Sequence, residues 1–182
     1  MPSELEPIIR TIRLLAAERA QLTKSGPHFK IEHRWRAQGT ECAPGEEVAA
    51  AYLVYRGREF LIPLSLTLRL VFDFLAKHTH LAQSASQIAA CFRADPFYTR
   101  HGANAASDGT LRRRVARSAV RVYVQRIRRA LALTFREASL RVDPSKVLVS
   151  QETVMNDVGY RLRGTFQVLH SEHPGREHAW IE

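Results

Sequence analysis

Arginine is the residue type most able to do chemistry in this chain, because it is concentrated. Between positions 112 and 136 stand nine arginines (112, 113, 114, 117, 121, 126, 128, 129 and 136) and no aspartate or glutamate. A guanidinium presents a planar fork of donors that suits phosphate oxygens and base edges, which a lysine ammonium meets only as a point charge. At about 100° per residue, the stretch SAVRVYVQRIRRAL (118–131) stacks Val120, Val124, Ile127 and Leu131 on one helical face. Arg121, Gln125, Arg126, Arg128 and Arg129 lie around the rest. Solvated faces usually mix signs, and this one does not. Just upstream, LRRRVAR (111–117) brings Arg114 and Arg117, either as a solvated loop end or as a basic arm gripping phosphates.

Other chemistries have little to stand on. Cys42 and Cys91 lack a C-x-x-C spacing and read as reduced thiols. His170, His173 and His178 fall in a charged, turn-rich tail with no supporting shell, so no metal site is expected. There is no Gly-rich phosphate loop and no paired-carboxylate motif, so neither an enzyme nor a cofactor is expected. Composition points back to the arginines. The chain has 182 residues, 27 Lys and Arg against 18 Asp and Glu, a formal charge of +9 and a sequence pI near 10.2. Such an excess implies a polyanionic partner, a nucleic acid or an acidic membrane surface. The N-terminal MPSELEP has no apolar run, and LRLVFDFLA is short and interrupted by Arg69 and Asp73, so no bilayer span is expected. A soluble, cytoplasmic, nucleoid-associated protein is the expectation.

The elements that must position the arginines follow from periodicity. Residues 3–23 predict a helix, with Ser3 and Glu6 as a capping box and Gly26-Pro27 as its stop. Its stripe of Leu5, Ile8, Ile9, Ile12, Leu15, Ala16 and Leu22 suits either the protein's own core or a homodimer seam. HFKIEHRWR (28–36) alternates weakly as a strand, with Trp35 as a packing residue. AAAYLVYRGREFLIPLS (49–65) predicts a hairpin turning at Arg56-Gly57. SLTLRLVFDFLAKH (65–78) predicts a buried helix with Leu66, Leu70 and Phe74 at i, i+4 spacing and Val71 and Leu75 beside them. SASQIAACF (84–92) predicts a shorter helix capped by Ser84 or Ser86. Residues 93–115 have no period and read as a long loop, followed by the arginine helix over 116–138. DPSKVLVSQETVMNDVGYRLRG (143–164) reads as a turn and two antiparallel strands, with Asn156 and Asp157 at the bend. The tail from His170 to Glu182 predicts no regular structure.

Strands, three helices and a terminal hairpin form the layout of an α+β winged helix-turn-helix: a small antiparallel N-terminal sheet, a three-helix core and a β-hairpin wing, with an N-terminal helical extension. Such folds place the third helix in the major groove. The expected organisation is an extension over 1–47, the DNA-binding domain over 48–166 and a tail over 167–182.

VYVQRIRRAL in the third helix, the DPS turn, TV and VGYRL resemble the OmpR/PhoB-type winged-helix domain, the output domain of bacterial response regulators, over roughly residues 48–164. The resemblance implies that Ser118, Ala119 and Tyr123 touch phosphates. It implies that Gln125, Arg126 and Arg128 supply base and phosphate contacts, with Arg126 the base-edge reader. It makes Tyr160 a wing-packing residue and Thr153 a wing residue near the DNA backbone. The chain departs from the family pattern in MNDV at the wing tip, where a basic residue is common, and in Ser118, where Arg is common. Residues 1–47 are too short for a receiver domain, so phospho-regulation is not implied.

The candidate DNA-binding set is thus Arg114, Arg117, Ser118, Arg121, Tyr123, Gln125, Arg126, Arg128, Arg129, Thr153, Asn156 and Arg161. The expected function is a sequence-specific transcription regulator of double-stranded DNA. The alternatives are a protein-interaction adaptor, with RNA polymerase among its candidate partners, and an RNA binder using the same basic surface.

Overall fold

The structure, a computed structural model, describes residues 8–10, 12–13, 26–36, 45–94, 109–153 and 157–171, without the side chains of 36, 45, 93, 94 and 109–118. The fold is mixed α+β. A four-stranded sheet is formed by β1 (His28–Arg36), β2 (Gly45–Tyr55), β3 (Arg58–Leu61) and the last described strand, in the order β3-β2-β1 and then that strand. The chain continues from β3 through α1 (Leu66–Lys77), β4 (Gln83–Ser84), α2 (Ala85–Ala94), α3 (Gly109–Glu137) and α4 (Pro144–Val147). It ends in β5 (Leu148–Glu152), β6 (Val158–Leu162) and β7 (Thr165–His170), with β4-β6-β5 forming a second, three-stranded sheet.

Local chemistry accounts for most boundaries. The β2–β3 hairpin turns at Arg56 and Gly57, both at positive φ (52° and 70°), the mirror-image turn whose twist matches two antiparallel strands. Ser84 and Gln87 open α2 as a reciprocal capping box: Gln87 N donates to Ser84 Oγ at 3.2 Å and Ser84 N donates to Gln87 Oε1 at 2.7 Å. Asp143 caps α4 by accepting from Ser145 N at 2.8 Å, and that bond holds its carboxyl below the usual range.

The core lies between the four-stranded sheet and the helices. Phe29 is its hub, edge-on to Phe72 of α1 at 5.5 Å and stacked on Phe166 of β7 at 5.4 Å. On α1 the buried seam is Leu68, Val71, Phe72 and Leu75. Leu66, Leu70 and Phe74, predicted to lead that face, are only half-buried; a helix apolar nearly all round does not reveal by period which stripe meets the sheet. The arginine helix is anchored as expected, with Val120, Val124, Ile127 and Leu131 each no more than 1% exposed.

Four expectations are corrected. The main sheet is not purely antiparallel, because β7 lies parallel to β1. The boundaries expected at 47/48 and 166/167 fall inside β2 and β7, and β1 supplies core residues Phe29 and Ile31, so extension, domain and start of the tail share one sheet. The helix expected from 116 begins at Gly109, and α2 runs to Ala94, which shortens the predicted loop; residues 95–108 lie outside the described ones. Finally, Ile8, Ile9 and Ile12 are helical but exposed, not seated on the core. Ser3, Glu6, Leu5, Leu15, Ala16, Leu22, Cys42, His173 and His178 also lie outside the described residues. Among the described residues no helix is long and apolar enough to cross a membrane.

Candidate nucleic-acid interface

The 29 residues of α3 make a helix about 43 Å long. Its apolar face is fixed against α1, α2 and the sheet, so the opposite face is presented outward as a fixed surface. Arg121, Val122, Gln125, Arg126, Arg129, Leu133 and Arg136 are all exposed there, within an arc of about 140° on a helical wheel. Arg121, Gln125 and Arg129 follow one another at i, i+4, i+8. Neither Arg121, Arg126 nor Arg129 makes an ion pair or side-chain hydrogen bond with another described residue. The face ends at Glu137, its first acidic residue.

Two predicted contact arginines are engaged elsewhere. Arg128 is half-buried, and its Nε and Nη2 both donate to the carbonyl of Leu148, at 2.9 and 2.7 Å, while Nη2 also donates to Ser150 Oγ at 2.8 Å. Its fork ties α3 to β5, the outer strand of the three-stranded sheet. The Leu148 carbonyl needs such a donor. Leu148 sits opposite Leu162, and the flanking bond runs from Arg163 N to Val147 O, so Leu148's own carbonyl points away from β6. Arg161 donates from Nε to the Thr79 carbonyl at 2.6 Å, tying β6 to the loop after α1.

The other predicted residues divide similarly. Tyr123 is half-buried, its ring edge-on to Phe92 at 5.7 Å, so it packs α3 on α2. Tyr160 is buried in the core, opposite Gln83 and Ser150. Thr153 closes the β5–β6 turn: its N donates to Asp157 O at 2.8 Å and its Oγ1 accepts from Asp157 N at 3.3 Å. Arg114, Arg117 and Ser118 lie on the α3 backbone with side chains outside the description, and Asn156 lies outside it altogether. The wheel alone did not mark Val122 as a contact residue. It is 48% exposed amid the arginines, and its place off the 120-124-127-131 stripe is the signal that could have found it.

The structure thus brings Arg121, Val122, Gln125, Arg126 and Arg129 onto one cationic surface backed by a packed core, and assigns Arg128 and Arg161 to holding the hairpin beside it. No protein-family model, curated protein or solved structure matches this chain.

Proposed function

We propose that this protein is a sequence-specific regulator that binds double-stranded DNA, with the exposed face of α3 in the major groove. The observation that carries the reading is the set of exposed arginines, without acidic partners among the described residues, on a helix whose other face is locked into the core. B-DNA's major groove, about 12 Å wide, admits one helix, and guanidinium groups along it meet phosphates at the walls and base edges on the floor.

The chain order supports the finer reading of a winged helix. An α1–β4–α2–α3 run is followed by the β5–β6 hairpin, and β4 joins that hairpin as a third strand. In this reading Arg126 reads a base edge, Arg121 and Arg129 meet phosphates, Gln125 adds a hydrogen bond, and Val122 offers an apolar contact to a thymine methyl. Arg128 positions the wing instead of touching DNA. The same face suits RNA less, because the deep, narrow major groove of an A-form duplex excludes side-chain reading.

Selection of bound duplexes from a random DNA pool by the full chain tests the proposal. A recurring motif is the expected result. Retention of duplex with no enriched sequence would reduce the protein to a non-specific binder, and no retention at low salt would leave the adaptor reading in its place.

A further inference from the structure

A second group of chemistry-bearing side chains lies far from the arginine face in the chain, where β1, β2 and β7 run out together. β1 and β7 pair in parallel with His33 opposite His170, so both imidazoles stand on one face of the sheet, ring centroids 5.0 Å apart. Between β1 and β2 the register shifts: Glu32 pairs with Ala50, but His33 pairs with Val48. Ala49 is therefore the extra residue of a bulge, and its carbonyl accepts from Arg69 Nη1 of α1. Because side chains alternate with a period of two, one extra residue turns the remainder of β2 over. Glu46 would otherwise point off the outer surface; the bulge puts it on the α1-facing side with His33 and His170.

The three side chains converge. Glu46 Oε1 contacts His170 Nδ1 and lies 3.8 Å from His33 Nδ1. One ligand atom from each residue falls within 4.8 Å of the others. His33 is only 7% exposed, and its Nε2 is 2.9 Å from Asp73 Oδ1. Lys77 Nζ donates to the other Asp73 oxygen at 2.7 Å. Asp73 is itself buried, its two carboxyl oxygens held between His33 and Lys77. A carboxylate only accepts, so Nε2 is the His33 nitrogen that donates to Asp73, and Nδ1 is the one that faces Glu46. Carboxylate–imidazole pairs of this kind orient the histidines that bind metals.

We propose that His33, Glu46 and His170 bind a divalent transition-metal ion of the zinc type, with Asp73 orienting His33 and a fourth coordination position left open. Two imidazoles and one carboxylate suit such an ion, whereas calcium and magnesium prefer oxygen alone. Metal–ligand bonds of about 2.0–2.1 Å place tetrahedral ligands about 3.4 Å apart. Glu46 and His170, both exposed at strand ends, have the rotamer freedom to part from each other and take up that spacing around the buried His33. The ion joins the consecutive strands β1 and β2 to β7, which lies more than a hundred residues further along the chain.

The test is calorimetric titration of the chelator-treated full chain with zinc chloride, paired with cobalt(II) titration followed in the visible. The expected result is one equivalent bound with micromolar or tighter affinity, intense low-coordinate cobalt bands and a raised melting temperature. His170→Ala and Glu46→Gln should each weaken zinc at least tenfold while leaving the metal-free fold intact by circular dichroism. Asp73→Asn should weaken it about 10- to 100-fold. A His173→Ala/His178→Ala double variant should retain full affinity. Absence of zinc uptake overturns the proposal, as does the pale spectrum of octahedral cobalt. So does uptake that survives His170→Ala and Glu46→Gln and vanishes in the double variant.

Discussion

Replacing Arg128 by alanine separates a structural arginine from the exposed arginines of α3 that are proposed to meet DNA. The substitution removes two donors from the Leu148 carbonyl and one from Ser150 Oγ. Hydrogen bonds donated by a charged group contribute about 1.5–3 kcal/mol net, and an orphaned buried acceptor costs about 1–3 kcal/mol. Arg128 is half-buried at a sheet edge that water can reach, so the three bonds do not add in full and a loss of about 2 kcal/mol is expected. For a chain of this length that corresponds to a fall of roughly 4–8 °C in melting temperature. Arg128→Lys keeps the charge but reaches one acceptor at a time, and should lose about half as much. Arg126→Ala, two residues away on the opposite side of the helix and exposed, should stay within about 0.5 kcal/mol of the parent. Thermal unfolding followed by circular dichroism measures all three. Equal melting temperatures for the parent and Arg128→Ala, together with lost DNA binding, would refute the reasoning and return Arg128 to the phosphates.

On the selected duplex, Arg126→Ala should lose about 1–3 kcal/mol of binding and lose little on random DNA; equal losses on both by fluorescence anisotropy would show that it reads no base. Gly164→Ala should destabilise by at least about 1–3 kcal/mol in denaturant titration, since φ of 153° belongs almost to glycine alone. A Cβ there would also stand 2.5 Å from the Pro27 carbonyl. Phe29→Ala should cost about 3–5 kcal/mol, the figure for a core aromatic, whereas a strand belonging to a loose extension would cost far less.

What could be read from the chain was local. The Arg56-Gly57 turn, a serine cap at Ser84 or Ser86 and the 120-124-127-131 stripe depend on neighbours a few residues away and are legible, the structure choosing Ser84. The parallel pairing of β1 with β7 was not, because His28 and Thr165 meet across 137 positions and neither segment advertises its partner. The same distance hid the His33–Glu46–His170 group: His170 was read with His173 and His178 as tail, while its companions come from two other strands. The start of α3 at Gly109 escaped because small, polar and basic residues there carry no apolar period. Arg128 shows the limit of a helical wheel. Its angle lies beside that of Arg121, but only the packed structure shows that β5 passes over it.

Whether the exposed arginines of α3 meet duplex DNA is decided by competitive fluorescence anisotropy on the full chain. The measurement compares a selected duplex with its scrambled counterpart across a salt series. With about four to six phosphates neutralised per domain, the slope of log affinity against log salt should be roughly −4 to −5. The selected sequence should bind at least about a thousandfold more tightly than the scramble. The Arg121→Ala/Arg126→Ala/Arg129→Ala variant should lose most of both the slope and the preference while melting like the parent. A parent protein that binds neither duplex at low salt, or a triple variant that binds both as the parent does, would contradict the claim.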